Sequence, residues 1–322
     1  MQSVKNLTEG SIRKQLFNLA IPIMGTSFVQ MAYSLTDMAW VGRIGSEAVA
    51  AIGAVGILTW MLQSFSLLNK VGAEVTVGQS IGSGNQQEAK AYAAHNLTLA
   101  LIFSLATPIV SLYKLSPEIS AKAVEYLRIV STAFPFVFLA SAFTGVHNAA
   151  GLSKIPVYIS GAGLALNMLL DPLFILLFGW GTAGAAYATW LSQCMVILLF
   201  VYQLKVRNKL WDDFHFFVPL KWKYTLKVVR IGIPVALLNS FFAVINMLMG
   251  RTASTYGGHY GLVALTTGGQ IEAIAWNTSQ GFSTALSAFT AQNYAARKRN
   301  RVEAAYRTTL MMTSIFGVFC TF

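Results

Sequence analysis

Residues 155–178 read IPVYISGAGLALNMLLDPLFILLF, an apolar stretch whose single charge is Asp171. A second apolar stretch, from Gln15 to Gly42, carries Asp37 as its only charge. Each stretch is long enough to cross a lipid bilayer, which takes about 20 apolar residues. Because a lone carboxyl group at that depth is costly, each aspartate is predicted to line a path for an ion, a proton or a substrate.

The composition of the whole chain is that of a membrane protein. Of its 322 residues, 55% are hydrophobic and 11% are charged, whereas soluble domains carry about 25% charged residues. Apolar segments of helix length fall near 15–42, 48–80, 95–113, 126–150, 155–178, 182–204, 226–250, 261–292 and 306–322. Since none shows the short alternating pattern of barrel strands, the sequence predicts an all-α integral membrane protein.

The distribution of positive charge predicts the topology. The net charge of +11 is concentrated in the loops that would lie inside if the N-terminus is cytoplasmic. The loops on the outer side then hold only Arg43, Lys114, Lys122, Arg128 and Arg251. This asymmetry predicts a multi-pass protein of the inner (plasma) membrane with a cytoplasmic N-terminus, rather than a nucleic-acid-binding protein.

The chain also shows a weak internal repeat. Ala20-Ile21-Pro22 recurs as Gly232-Ile233-Pro234, and Gln79 recurs as Gln292. Such repeats are a common transporter design. They predict a first lobe of six helices (1–204), a cytoplasmic linker (205–224) and a second lobe (225–322). Because the chain stops inside its ninth apolar segment, we expect this second lobe to be incomplete.

The two aspartates are predicted to lie close together. With a helix rise of about 1.5 Å per residue, Asp37, Asp171 and Thr189 reach a similar depth in the first lobe. Asn167 lies one turn before Asp171 on the same helix face. These oxygen-bearing side chains suit Na⁺, and they suit a shared proton equally well, since adjacent carboxylates repel each other. No cofactor other than this coupling ion is predicted.

Two prolines flank this region. Pro22 lies in the first apolar segment, and Pro172 directly follows Asp171. A proline inside a helix removes one backbone hydrogen bond, and membrane helices tolerate this. The prolines either shape the packing only or act as hinges when the acids change charge.

Other side chains have alternative interpretations. Glu272 is the only charge from Gly261 to Tyr294, so it either contacts substrate or a second cation, or is a hydrogen-bonded structural carboxyl. Tyr33 and Trp276 either present aromatic faces to a cationic substrate or belong to the packing.

Lys70 and Glu74 form an i,i+4 pair at the inner end of the second segment. The two charges either neutralise each other or form a gate at the cytoplasmic mouth.

Two motifs resemble a known family. Pro22 with Asp37-Met38-Ala39-Trp40-Val41-Gly42-Arg43, and Asn167-Met168-Leu169-Leu170-Asp171-Pro172, are similar to segments of multidrug and toxic compound extrusion (MATE) transporters, in particular the archaeal and DinF-like branches. The resemblance implies a two-lobe bundle of twelve helices, of which about eight and a half are present. It also implies a cation site at Asp37, Asn167, Asp171 and Thr189.

The function implied by the resemblance is secondary antiport. A monomer in the lipid membrane would export cationic or amphipathic compounds in exchange for Na⁺ or H⁺, by alternating access. A lipid-linked oligosaccharide flippase of the same superfamily is the first alternative. An intramembrane enzyme is disfavoured, because the sequence contains no nucleophile–base or metal-ligand constellation.

Overall fold

The chain is a bundle of long helices in this computed structural model, which describes residues 5–43, 46–111, 121–207, 215 and 217–321. The helices are α1 (Ile12–Val41), α2 (Ser46–Gly82), α3 (Gln86–Ser111), α4 (Ala121–Ala149), α5 (Lys154–Pro172), α6 (Gly181–Tyr202), α7 (Trp222–Ala295) and α8 (Arg299–Thr321). Two π-helical turns, Leu173–Leu177 and Gln203–Arg207, extend α5 and α6. The all-α prediction is confirmed, since the apolar segments coincide with these helices wherever the chain is described.

Several helices are long and apolar enough to cross a membrane. Within the described residues these stretches are Ile12–Val41, Arg128–Ala149, Lys154–Leu177, Gly181–Lys205 and Trp222–Ala253. A helix of 20 residues spans about 30 Å, the thickness of the hydrocarbon core. The length of the helices therefore follows from the bilayer they cross.

The long helix α7 is a hairpin of two helices. Gly258 has φ 53° and ψ −140°, a non-helical backbone conformation that favours glycine. A Cβ on Gly261 would clash with the carbonyl oxygen of Ala253, although eight residues of straight helix would separate the two by about 12 Å. The chain therefore turns back at Gly258, and we call residues 222–257 the first arm and 259–295 the second arm.

Small residues bring α2 close to both arms of α7. A Cβ on Gly72 would lie 2.7 Å from the side chain of Val228 in the first arm. A Cβ on Gly78 would lie 2.9 Å from Ala291 in the second arm. Close approach at small residues is typical of membrane helices, because dispersion contacts replace the hydrophobic effect in lipid.

Two buried apolar clusters stabilise the bundle. The larger cluster joins α2, α3, α4 and α6 and includes Tyr92, Phe134, Phe138 and Phe200. The second joins α1 to the second arm of α7 and to α8. It is through this second cluster that the N-terminal helix packs against the C-terminal part of the chain.

Residues 5–10, which we call the strap, cross one end of the bundle. The backbone N–H of Lys5 donates to the carbonyl of Ala150 in the α4–α5 turn at 3.0 Å. The N–H of the buried Leu7 donates to Gln292 Oε1 at 3.1 Å. The amide of Gln292 donates in turn to the carbonyl of Ala149 at 2.6 Å. The strap thereby joins the α4–α5 turn to the end of α7.

Arg301, near the start of α8, reinforces the strap. Its guanidinium donates to the carbonyl of Gly10 at 2.8 Å and to that of Leu7 at 3.2 Å. It also donates to Gln15 Oε1 at 3.2 Å and to Asn293 Oδ1 at 3.0 Å. One side chain thus connects the strap, α1 and the end of α7, and we call this end of the bundle the strap end.

The predicted linker 205–224 is only partly described, because residues 208–214 and 216 lie outside the described part of the chain. Beyond it, the backbone N–H of Val218 donates to Thr98 Oγ1 at 3.1 Å. Tyr224 packs edge-on against Tyr92, with ring centroids 4.8 Å apart. The second part of the chain therefore begins on the surface of α3, and the division into lobes stays a prediction.

Candidate functional site

Three helices bring the predicted site residues together. Asp37 lies on α1, Asn167 and Asp171 lie one turn apart on α5, and Thr189 lies on α6. Close contact of α1 with α5 is possible because a Cβ on Gly25 would already lie 3.0 Å from Val157. The spacing of the residues along each helix directs their side chains to one point between the three helices.

Few hydrogen bonds join the side chains of this group. Asn167 Nδ2 donates to Asp171 Oδ1 at 3.2 Å, and Thr189 Oγ1 donates to Asp37 Oδ2 at 3.4 Å. The carboxyl groups of Asp37 and Asp171 lie close enough to interact electrostatically with each other. Asp171 and Asn167 are completely buried.

Tyr33 is a further member of this group. It lies one turn before Asp37 on α1, and its hydroxyl interacts electrostatically with both carboxyl groups. The hydroxyl reaches the site because α5 has a glycine at its closest point, where a Cβ on Gly163 would lie 2.6 Å from it. The sequence had suggested Tyr33 as a substrate contact, whereas the structure places it with the carboxyl pair.

Four buried oxygen atoms of the group have no hydrogen-bond partner. They are the Tyr33 hydroxyl, Asp37 Oδ1, Asn167 Oδ1 and Asp171 Oδ2. An unpartnered buried polar atom costs about 1–3 kcal/mol, and each of these atoms is able to coordinate a hard cation. Two carboxyl groups and two neutral oxygens fit Na⁺ or a shared proton.

The described residues contain no cluster of three or more His, Cys, Asp or Glu side chains that could hold a metal ion. The donor set of the candidate site therefore rests on carboxyl, amide and hydroxyl oxygens.

An apolar cluster lies on the side of this group that faces away from the strap end. Val41, Ile175 and Ala185 are buried together, with Trp40 and Tyr126 packed against them. Val41 and Ile175 each lie four residues after one of the acids, on the same helix faces. The cluster forms an apolar cap that separates the carboxyl groups from the end of the bundle.

The two predicted hinge prolines lie in different surroundings. Pro22 is inside α1. Pro172 ends the regular part of α5, and the π-helical turn Leu173–Leu177 follows it. The irregular backbone after Pro172 accommodates the missing hydrogen bond. Hinge motion at either proline stays a prediction.

The second predicted group lies on the second arm of α7. Glu272 is exposed, and Trp276, one turn further on, is partly exposed. Trp276 packs edge-on against Phe242 of the first arm, with centroids 5.3 Å apart. Asn277 contacts the sulfur of Met31 on α1 at 4.0 Å. This group therefore faces the junction of α1 and α7, apart from the carboxyl pair.

The i,i+4 pair of Lys70 and Glu74 forms no ion pair within 4.0 Å in the described part of the chain. Glu74 is 1% exposed and instead accepts a hydrogen bond from Asn148 Nδ2 at 3.0 Å. The close contact of α2 with Gly145 on α4 helps to bury this part of the helix, and the Glu74 carboxyl still interacts electrostatically with Lys70. Its use as a gate stays a prediction.

Sequence reasoning missed three features of this part of the molecule. These are the apolar cap, the space at Gly163 and the strap. Two signals in the sequence could have indicated such features. Tyr33 lies one turn before Asp37, and Gln292 and Asn293 are adjacent polar residues in an otherwise apolar segment.

Several helices of bilayer length packed around buried polar side chains are typical of a multi-pass membrane protein. The family model MatE matches residues 22–173 and 234–322, which together form most of the chain. The chain therefore belongs to the MatE family, and it is an efflux transporter of that family rather than an enzyme.

Similar proteins support this assignment. The "Probable multidrug resistance protein NorM" of Thermotoga maritima is 26% identical over 330 residues, covering 95% of this chain and 68% of that protein. The "FAD transporter" of Shewanella oneidensis is 26% identical over 331 residues, covering 98% and 73%.

Solved structures share the fold. A structure of "MATE in complex with MaL6" has a TM-score of 0.89 at 25% identity, and covers 97% of this chain and 72% of that chain. An "outward-facing conformation of a multidrug resistance MATE family transporter" has a TM-score of 0.87 at 26% identity, with the same coverage.

Proposed function

We propose that this transporter is a secondary antiporter that exports cationic or amphipathic organic compounds in exchange for Na⁺ or H⁺. The coupling ion binds between Asp37, Asn167, Asp171 and Thr189, with Tyr33 as a fifth oxygen ligand. The observation that carries this proposal is the set of four unpartnered buried oxygens between α1, α5 and α6. A bound Na⁺ or proton supplies the partner that these atoms lack.

Coupling requires that the ion favours one conformation over the other. When the site is empty, the two carboxylates repel each other and strain the contact of α1 with α5. When the ion binds, it neutralises this repulsion, and α1 packs against α5 as it does here. Because α1 also contacts the second arm of α7, a shift of α1 would change the space between these two helices, where we place the cargo site below.

Alternating access further requires two lobes that separate at one end at a time. We assign residues 1–204 and 225–322 to these lobes and residues 205–224 to the cytoplasmic linker. The strap supports this assignment, since it joins the α4–α5 turn of the first lobe to Gln292 of the second. The strap end is then the cytoplasmic end, held closed in this conformation.

The cargo site is proposed at the junction of α1 and the two arms of α7. There the carboxylate of Glu272 lies one turn from Trp276, whose ring packs against Phe242. A carboxylate beside aromatic rings favours an organic cation. The relative from Shewanella oneidensis is described as an FAD transporter. Because FAD is an anion, it is the appropriate alternative cargo to compare with an organic cation.

The test is transport by the purified protein in proteoliposomes. Ethidium efflux is measured under an imposed Na⁺ gradient, an imposed pH gradient and neither, and FAD is offered in parallel. We expect ethidium to be transported without chemical change, and only when a gradient of one of the two ions, Na⁺ or H⁺, is imposed. Movement of ethidium without any gradient would contradict antiport, and movement of FAD alone would contradict the assignment of the cargo.

A further inference from the structure

A second pocket lies at the end of the bundle opposite the strap. It has a volume of about 560 Å³ and lies between α4, α6 and the turn that joins α5 to α6. Its walls include Glu125, Phe174, Trp180, Tyr187 and Trp190. None of the residues assigned to the coupling ion or to the cargo lines it. Its volume is within the range of about 300–1,000 Å³ that is usual for small-molecule pockets.

The aromatic walls are held in place by the backbone. The N–H of Trp180 donates to the carbonyl of Phe174 at 3.0 Å, which closes the turn after the π-helical segment. A Cβ on Gly184 would lie 2.8 Å from that same carbonyl oxygen, so α6 packs directly on the turn. The rings of Phe174 and Trp180 are 5.2 Å apart, and those of Trp180 and Tyr187 are 5.7 Å apart. The walls therefore need little rearrangement to receive a ligand.

The aromatic faces remain open to a ligand. Trp180 is 49% exposed and Tyr187 is 45% exposed. Aromatic residues at a membrane interface are common, which accounts for single Trp and Tyr side chains at this end. It does not account for an open pocket that several of them line together with a carboxylate.

The carboxylate of Glu125 supplies the charge of the pocket. Glu125 is exposed, and it forms no ion pair within 4.0 Å with any described side chain, including Arg128 one turn further along α4. An unpaired carboxylate beside aromatic rings attracts a cation, and the electron-rich ring faces add to the attraction. An anionic ligand would be repelled by both.

We propose that this pocket binds organic cations with a quaternary ammonium or delocalised positive charge, separately from the coupling-ion site. Glu125 neutralises the ligand, and Trp180 and Tyr187 cover its apolar groups. Such a cation has two sources, a free compound outside the cell or the choline headgroup of a lipid. The proposal does not depend on antiport, because it concerns binding at equilibrium without a gradient.

The test uses tetraethylammonium as the probe. Binding to the purified protein is measured by calorimetry in nanodiscs of phosphatidylethanolamine and phosphatidylglycerol, which contain no choline. We expect Glu125→Gln and Trp180→Ala each to raise the Kd about tenfold. Glu9→Gln, which removes an exposed carboxylate at the opposite end, is the matched control and leaves the Kd unchanged.

Both substituted residues are exposed, so the variants are expected to fold. Gel filtration and helical circular dichroism check this before binding is measured. If folded Glu125→Gln and Trp180→Ala bind tetraethylammonium as tightly as the wild type, the proposal is wrong. Equal weakening by Glu9→Gln would also overturn it, because the effect would then be one of net charge.

A second set of nanodiscs identifies the source of the cation. If phosphatidylcholine weakens tetraethylammonium binding to the wild-type protein but not to Glu125→Gln, the lipid headgroup occupies the pocket. If phosphatidylcholine has no effect on the wild-type Kd, the pocket is specific for free organic cations. Either result supports a cation pocket, provided that the two substitutions have weakened binding in the first set.

Discussion

Gly163 is the most informative position for a single substitution. In Gly163→Ala, the new Cβ would lie 2.5 Å from Cγ2 of Val196 and 2.6 Å from the hydroxyl of Tyr33. An ordinary contact is no shorter than 3.4 Å, so the Val196 methyl group must retreat by about 0.9 Å and the Tyr33 hydroxyl by about 0.8 Å. This displacement removes Tyr33 from the carboxyl pair without changing a single polar atom.

The size of the effect follows from the loss of one oxygen ligand. A hydrogen bond or ligand contact to a charged group contributes about 1.5–3 kcal/mol, and 1.4 kcal/mol corresponds to about a tenfold change in affinity. For Na⁺ coupling, we expect the concentration for half-maximal ethidium efflux to rise about tenfold or more. For proton coupling, we expect the midpoint of the pH dependence to shift by about one pH unit, because the displaced hydroxyl is no longer placed to donate to a carboxylate when one forms.

The matched control is two residues away on the same helix. A Cβ on Gly161 would have no atom within 4 Å, so Gly161→Ala changes the backbone of α5 equally without touching Tyr33. Both variants are assayed for ethidium efflux in proteoliposomes over a series of Na⁺ and proton gradients. An unchanged ion dependence in folded Gly163→Ala would refute the role of Tyr33. The same shift in Gly161→Ala would show that the helix backbone, rather than the clash, is responsible.

Three further predictions follow from the fold. Arg301→Ala removes four hydrogen bonds, two of them to the strap and the others to Gln15 and Asn293, and should raise proteolytic cleavage of the N-terminus several-fold. Arg299→Ala, at an exposed position, should not, and equal cleavage of the two variants would contradict the role of Arg301 in holding the strap. Gly258→Ala places a side chain at φ 53° and should lower the free energy of unfolding by about 1–2 kcal/mol relative to the control Gly257→Ala. Denaturant titration measures both variants, and equal stability would mean that the turn lies elsewhere. Asn148→Leu leaves a buried carboxyl without its donor, which should cost about 1–3 kcal/mol and lower the melting temperature by about 2–4 °C. An unchanged melting temperature would contradict that hydrogen bond.

Much of the fold was predictable from the sequence, because the bilayer imposes helices of known length. The nine apolar segments predicted the helices correctly, and the turn at Gly258 falls between the seventh and eighth segments. The convergence of Asp37 and Asp171 also followed from depth alone, since helix rise converts sequence position into height. Thr189 was found in the same way, although it is 152 residues from Asp37.

Rotation of a helix about its own axis was not predictable in this way. Tyr33 was predicted either to face a cationic substrate or to belong to the packing, whereas its hydroxyl reaches the carboxyl pair through the space at Gly163. Lys70 and Glu74 were predicted either to neutralise each other or to form a gate, and the sequence did not show that the Glu74 carboxyl accepts a hydrogen bond from Asn148 on α4.

The strap was unpredictable for another reason. Its hydrogen bonds run from backbone groups of residues 5–10 to side chains almost 300 residues away, for example from Leu7 to Gln292. Backbone donors are the same in every residue and carry no sequence signal. Only the conspicuous pair Gln292 and Asn293, polar within an apolar segment, pointed to a buried contact.

The most direct test of the central claim is the variant Asp171→Asn. This substitution keeps the shape of the side chain and removes one of the two carboxyl groups that we propose hold the coupling ion. Ethidium binding by fluorescence polarisation and ethidium efflux under Na⁺ and pH gradients are measured on the same proteoliposome preparation. We predict that binding is retained while gradient-driven efflux is lost, and efflux at the wild-type rate would contradict the account.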